Sequence, residues 1–311
     1  MLEKLHEHFP DAQLDFLVRK GNESLMMNHP FVANCLVWDK KNKKYSGLLM
    51  LLKQIRKSKY DYVINLQRFG ASGFLTGFSG ATEKIGFDKN PLSFLFTKSI
   101  AHKIGSKSIP AMHEVERCVQ TIAHFTDDSL TKPKLYPSND DFDKVMPFTI
   151  SPFITISPAS VWFTKQVPAS VWKQLIAQIS ESKIFLLGAP GDYELCDEIK
   201  SAGGNVQNLA GELSLLQSAA LMKSAAMNYT GDSAPMHLCS AMNAPVTAVF
   251  CSTIPEFGFG PLSDISFVVE TRELLDCRPC GLHGYKACPK GHFKCSSIVI
   301  SDLIASMDFK K

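Results

Sequence analysis

The strongest constraint on this chain is a run of four elements between residues 225 and 250. An apolar stretch, Ala225-Ala226-Met227-Asn228-Tyr229, reads as a buried strand, and a turn of small residues follows, Gly231-Asp232-Ser233. Pro235 sits in the first turn of an apolar helix pattern (Met236, Leu238, Cys239, Ala241, Met242), where a missing N–H costs nothing. Residues 245–250, Pro-Val-Thr-Ala-Val-Phe, form the next strand. Strand, polar turn, helix and strand make one unit of a parallel α/β sheet. Its turn opens at the C-terminal edge of the strand, where such sheets bind ligands. Free N–H groups at the helix start favour an anion. Asp232 would repel a phosphate, so it suits a sugar hydroxyl or a loop amide. The plainer alternative makes Asp232 or Ser233 only the N-cap of the helix.

The same alternation runs through the rest of the chain. Residues 2–9 end a helix, 14–18 and 35–38 are strands, and a helical segment before Asn28-His29-Pro30 lies between them. Residues 48–55 are helical and 62–66 a strand, followed by the glycine-bearing turn Gln67-Arg68-Phe69-Gly70, a small-residue helix and an extended stretch at 82–87. A further helix starts at His113 and runs to His124. Residues 127–147 are polar, carry Pro133, Pro137 and Pro147, and read as a linker. Beyond it come strands at 153–157, 183–187, 206–209, 225–229, 245–250 and 267–269, and helices at 171–179, 193–201, 213–221 and 300–307. This is the pattern of two doubly wound α/β domains, 1–147 and 148–311. At about 100–200 residues per domain, the length agrees.

Composition narrows the class. With 45% hydrophobic and 20% charged residues the chain is that of a globular protein. No apolar run reaches the roughly 20 residues a membrane span needs. The first ten residues carry His and Glu and lack the apolar core of a signal peptide. The nine cysteines, an odd number lying mostly in apolar segments, point to a reducing compartment and hence to the cytoplasm. The net charge of +3 conceals an asymmetry, +5 over residues 1–150 and −2 over 151–311. The cations gather at Lys40, Lys41, Lys43 and Lys44 and again at Lys53, Arg56, Lys57 and Lys59. They form either a solvated face or a surface for a polyanion or an anionic membrane. The scarcity of interleaved aromatics argues against nucleic acid.

Three turns of the second domain, at 160–165, 188–192 and 231–237, share one sheet edge and together offer a hydroxyl, a cation, two carboxylates and a helix start. That set suits a phosphorylated, hydroxyl-rich ligand. Lys165 is a compact charge for a diphosphate, or a solvated loop lysine. His237, one turn into its helix, reaches a phosphate oxygen or packs on its neighbours. The tail carries Cys277-x2-Cys280 and Cys288-x3-His292-x2-Cys295. Four of these donors would suit a structural zinc ion at Cys277, Cys280, Cys288 and Cys295; reduced thiols or an adventitious disulfide are the alternatives.

On these motifs the chain resembles the bacterial lipopolysaccharide heptosyltransferases of glycosyltransferase family 9. The resemblance covers nearly the whole chain. It is sharpest at Gly231-Asp232-Ser233-Ala234-Pro235-Met236-His237 with Ala244-Pro245-Val246, and at Trp162-Phe163-Thr164-Lys165-Gln166-Val167-Pro168. Asn65-Leu66-Gln67-Arg68, His113-Glu114-Val115-Glu116-Arg117 and the tail Cys277-Arg278-Pro279-Cys280 with Cys288-Pro289-Lys290-Gly291-His292 support it. The resemblance implies a GT-B architecture, two Rossmann-like domains facing across a cleft. It also implies inverting transfer of heptose from ADP-heptose to a lipopolysaccharide precursor, with no metal or other cofactor required. By position it makes Lys165 the cation on the donor diphosphate and Asp232 the carboxylate on the heptose hydroxyls. Gly231, Ser233 and His237 would stand beside them, Ser160 and Asp192 make further donor contacts, and Leu213 lies near the adenine. Family members begin with a strand and a Gly-Asp turn ahead of the helix that ends in Phe9-Pro10-Asp11-Ala12. That turn bears the general base, and no residue here maps onto it. A catalytically impaired donor-binding or scaffold protein of the same pathway is therefore the competing expectation. In the main reading the donor binds the second domain, and the basic first domain meets the acceptor at the inner membrane.

Overall fold

In the first half, short apolar runs fold as parallel strands joined by helices. The order is α1 (Leu2–His8), β1 (Leu14–Arg19), β2 (Val32–Trp38), α2 (Lys44–Ser58), β3 (Tyr62–Asn65), α3 (Gly70–Gly77), β4 (Glu83–Phe87), β5 (Lys98–Ile100) and α4 (Glu114–Gln120). These strands make two separate parallel sheets, β1-β2 and β3-β4-β5. One face of α2 supplies their local core: Leu51 and Ile55 pack with Leu36 of β2 and Leu75 of α3. The segment read as a helix before Asn28 is a single 3-10 turn, Glu23–Met26. The helix expected to reach His124 stops at Gln120, where the Thr121 hydroxyl donates back to the Cys118 carbonyl at 2.6 Å.

The second half contains α5 (Asn139–Val145), β6 (Phe153–Ser157), α6 (Ala169–Gln178), β7 (Lys183–Leu186), α7 (Tyr193–Lys200), β8 (Val206–Asn208), α8 (Leu215–Ser224), β9 (Met227–Gly231), α9 (Ala234–Met242), β10 (Val246–Phe250), β11 (Ser266–Glu270) and α10 (Ile300–Ala305). Its strands form one parallel sheet in the order β11-β10-β9-β6-β7-β8. Every residue of β6, β9 and β10 is buried, as expected of parallel strands covered on both faces. Ile154, Ile156, Met227 and Tyr229 pack beneath α6, α7 and α10. The opposite face holds a polar pair, with the Thr155 hydroxyl donating to Asn228 Oδ1 at 2.5 Å. The Asn228 amide in turn donates to the carbonyls of Met222 and Pro245.

The computed structural model describes residues 1–109 and 112–307. Its contacts divide the chain into Met1–Gly105 with Ala111–Thr131, and Ser106–Pro110 with Lys132–Lys311. The stretch read as a linker is therefore shared. Residues to Thr131 cluster with the first unit, whereas those from Lys132 onward belong to the second, where α5 packs on α8. Among the described residues no helix is long and apolar enough to cross a membrane.

Candidate active site

Strand order locates the site. The second unit begins at β6 and adds β7 and β8 on one side; β9 then returns to pair with the other side of β6. The connections after β6 and β9 thus leave in opposite directions and open a crevice above their C-terminal ends, the usual ligand position in such sheets. Lys165 closes a 3-10 turn (Phe163–Lys165) after β6, and Asp232 is the first residue after β9.

The two side chains meet. Lys165 Nζ lies 2.7 Å from Asp232 Oδ2, and only 16% and 8% of the two side chains is exposed. A carboxylate this buried needs a partner, because its desolvation is otherwise uncompensated. It has a second one: the Thr253 hydroxyl, just past β10, donates to the same Oδ2 at 2.5 Å. The backbone is pinned as well, with the Asp232 N–H donating to the Val249 carbonyl at 3.0 Å. A Cβ built on Gly231 would lie 3.4 Å from the Lys165 carbonyl oxygen, so the end of β9 touches the lysine turn directly.

The N-cap alternative holds for the position of Ser233 but not for its bonding. Ser233 occupies the N-cap position of α9 but its side chain makes no cap hydrogen bond; its hydroxyl is 3.4 Å from the Gly231 carbonyl. Asp232 spends its oxygen on Lys165 and Thr253 instead. The first turn of α9, with Pro235 in it, therefore faces the crevice without a side-chain cap. His237 is exposed on that helix.

The remaining expected residues shape their own turns. Asp192 Oδ2 accepts the Ala189 N–H at 2.8 Å, and a Cβ on Gly188 would meet the Asp192 Cβ at 2.8 Å. The Ser160 hydroxyl accepts the Trp162 N–H at 3.4 Å. Leu213 is half-buried just ahead of Ser214, which caps α8 in a capping box with Gln217. Among the described residues none of these three bonds to Lys165 or Asp232. Sequence reasoning missed Thr253, and also Ser157 and Thr230. The latter two lie in register at the ends of β6 and β9, with buried hydroxyls that have no hydrogen-bond partner among the described residues.

The tail does not form the zinc site that its spacing suggests. Among the described residues no group of three or more His, Cys, Asp or Glu side chains is arranged to hold a metal ion. Cys295 is buried in the core beneath the sheet, the Cys280 thiol bonds the Cys277 carbonyl, and Cys277 Sγ lies 3.8 Å from His292 Nε2. The spacing of Cys277, Cys280, Cys288 and Cys295 fits tetrahedral ligation, but among the described residues it is not matched by a ligand cluster.

Comparison with known proteins bears on the family and the fold. The model of glycosyltransferase family 9 (heptosyltransferase) matches residues 48–280. Lipopolysaccharide heptosyltransferase 1 of Campylobacter coli is 25% identical over 294 residues, 87% of this chain and 84% of the relative. Among solved structures, the ADP-heptose lipopolysaccharide heptosyltransferase II of Escherichia coli superposes with a TM-score of 0.77 at 22% identity, covering 99% of this chain and 93% of that one. A family 9 glycosyl transferase from Veillonella parvula gives a TM-score of 0.81 at 20% identity, covering 99% and 90%. The fold is thus the GT-B α/β class.

Proposed function

The chain belongs to glycosyltransferase family 9, and from that premise we propose that it transfers heptose from ADP-heptose to a lipopolysaccharide core precursor, with inversion at the transferred carbon. In this reaction the acceptor hydroxyl attacks the anomeric carbon, the glycosidic C–O bond to the diphosphate breaks, and negative charge builds on the departing ADP. A cation and an uncapped helix start aimed at that charge stabilise the transition state more than the ground state.

The observation that carries this reading is the Lys165–Asp232 pair at the sheet crossover, held at 2.7 Å and largely buried. Lys165 takes the diphosphate. Asp232, released from it but still held by Thr253, takes heptose hydroxyls. Gly231, Ser233 and His237 line the same turn and helix, Ser160 and Asp192 border it, and Leu213 stands on the adenine side. No metal or other cofactor enters these steps.

Calorimetric titration with ADP-heptose tests the reading. The wild-type chain binds, and Lys165→Ala and Asp232→Ala each weaken binding by about 30-fold or more, the scale of a lost charge-assisted contact. A folded wild-type chain that does not bind overturns it. Binding without turnover would instead favour the impaired donor-binding reading.

For the acceptor side we propose contact with the cytoplasmic face of the inner membrane through α2. Between Asp39 and Asp61 the chain carries Lys40, Lys41, Lys43, Lys44, Lys53, Arg56, Lys57 and Lys59 and no acidic residue. Tyr45, Leu49 and Met50 on the same helix are each more than half exposed. Basic flanks around exposed apolar side chains suit an anionic lipid surface. Replacing Lys40, Lys41, Lys43 and Lys44 with Ser should weaken sedimentation with phosphatidylglycerol vesicles; unchanged sedimentation removes this part.

A further inference from the structure

We propose that residues 278–285 of the tail are a positioning strap for both charged groups of the site; this rests on the reading of Lys165 and Asp232 given above. The strap reaches them by two routes. On the first, the Tyr285 N–H donates to the Thr164 hydroxyl at 2.8 Å, and the Thr164 N–H donates back to the Tyr285 carbonyl at 3.1 Å. The Ser252 hydroxyl completes the group at 3.1 Å from the same Thr164 oxygen. Thr164 is buried and immediately precedes Lys165, so this clamp holds the base of the lysine turn.

Gly284 carries the first route onto the lysine itself. Its φ is +76°, a conformation that side chains disfavour, and a Cβ there would lie 2.9 Å from Lys165 Cγ and 2.9 Å from the Thr164 hydroxyl oxygen. Only a residue without a side chain lets the strap lie against the aliphatic stem of Lys165. That contact removes rotamers from a side chain whose reach is otherwise set by four torsions.

The second route runs through Arg278. Its Nε donates to the Cys251 carbonyl at 2.6 Å, and its Nη2 donates to the carbonyls of Thr253 at 2.7 Å and Phe250 at 3.2 Å. Its charge is met by Glu270 at the end of β11. Arg278 thus ties the exit of β10 to β11 and fixes the backbone of Thr253, whose hydroxyl holds Asp232. The Cys280 N–H adds a bond to the Ser252 carbonyl at 2.8 Å. One short tail segment therefore sets the geometry of a lysine more than a hundred residues upstream and of the carboxylate that pairs with it, to the sub-ångström tolerance that transfer chemistry demands.

The test uses the full chain and the variants Thr164→Val, Thr164→Ser, Gly284→Ala and Arg278→Gln. Lys165 is acetylated with N-hydroxysuccinimidyl acetate and its labelling rate followed by peptide mass spectrometry, with Lys173 as internal reference. Loosening the strap exposes the lysine, so Thr164→Val, Gly284→Ala and Arg278→Gln label about fivefold faster or more, whereas Thr164→Ser, which keeps the hydroxyl, stays near wild type. With ADP-heptose the same three variants, assayed well below their thermal midpoints, lose about tenfold in kcat/KM, and the serine variant is rescued. Should Thr164→Val fail to fold, the other two are read in the same way. Lys165 labelling within twofold of wild type in the folded variants overturns the strap. Failure of wild-type donor binding overturns the functional reading instead, and the labelling comparison still decides this one.

Discussion

The two units are built from the same kind of element, yet they hold themselves together differently. In the second, six strands share one sheet, and three of them are buried along their whole length. In the first, β1 and β2 bury one residue each, and the strands divide between a two-stranded and a three-stranded sheet. What the first unit lacks in apolar cover it replaces with polar ties. The Glu3 carboxylate faces His29, Asp15 takes the Tyr60 hydroxyl together with Asn34, Asp39 takes Lys20 and Asn42, and Asp127 takes Lys4. The second unit is thus a stiff platform for the charged pair, and the first a softer surface whose stability depends on ionised carboxylates.

Cavity formation gives the largest test of that contrast. Ile156→Ala on β6, fully buried in the main core, should cost about 4 kcal/mol, near the top of the range for such truncations. Leu36→Ala on β2, at the edge of a small cluster, should cost about 2 kcal/mol. Denaturant melts of the two variants decide it, and equal losses would dissolve the distinction.

Acid is the second probe. Burial alone would raise the Glu3 carboxyl, but the hydrogen bond from His29 and a backbone N–H outweigh it and bring the group down to about 2. Hydrogen bonds hold Asp15 below its ordinary value against a burial penalty that raises it. Asp39 is held down by Asn42 and Lys20, and Asp127 by Lys4 and Ser129. A depressed carboxylate contributes stability above its unfolded pKa and loses it as pH falls through the folded one. For Glu3 that window runs from 4.5 down to about 2. The first unit should therefore lose structure at a higher pH than the second, seen as two steps in hydrogen exchange along an acid titration. Glu3→Gln should shift the first step by about half a pH unit and leave the second in place.

The smallest effects concern thiols. Burial pushes Cys118 of the first unit up to about 12, and it raises Cys239 and Cys251 of the second still further. In mild denaturant, reaction with a disulfide reagent should reach Cys118 about tenfold sooner than Cys239 or Cys251, because local opening comes first where the core is thin. Cys288 should react before any of them in native buffer. Burial, the largest single influence, raises it, but backbone N–H groups of the 290–293 turn together outweigh that and lower it.

Much of this architecture was legible because it is local. Apolar runs of strand length, small-residue turns and Pro235 in a first helical turn state their own conformation, so β9, its turn and α9 could be read directly. Lys165 and Asp232 were legible as a charged set at one sheet edge. Thr253, Arg278 and Gly284 were not, because their roles exist only once residues far apart in sequence are folded together. The tail cysteines show the opposite error. Ligand spacing is a local property, but ligation depends on how the fold assembles the side chains, and among the described residues no group of three or more potential ligands is arranged for a metal ion. The helix reading past Gln120 failed for a similar reason: the apolar period continues through Ile122, but a hydroxyl back-bond at Thr121 ends the regular turns.

The closed pair of Lys165 and Asp232 has a consequence for the order of events. If Lys165 takes the donor diphosphate as proposed, that diphosphate displaces Asp232 rather than filling a waiting charge, because Lys165 already has a counter-ion. On that proposal the carboxylate becomes available to hydroxyls only afterwards, which would make phosphate recognition the first step and sugar recognition the second. Once the heptose has left, ADP holds Lys165 while Asp232 stands desolvated beside it with Thr253 as its remaining partner. Reclosure of the pair then favours departure of the nucleotide. The contact that neutralises the empty crevice is, on this reading, also what clears it after each turnover.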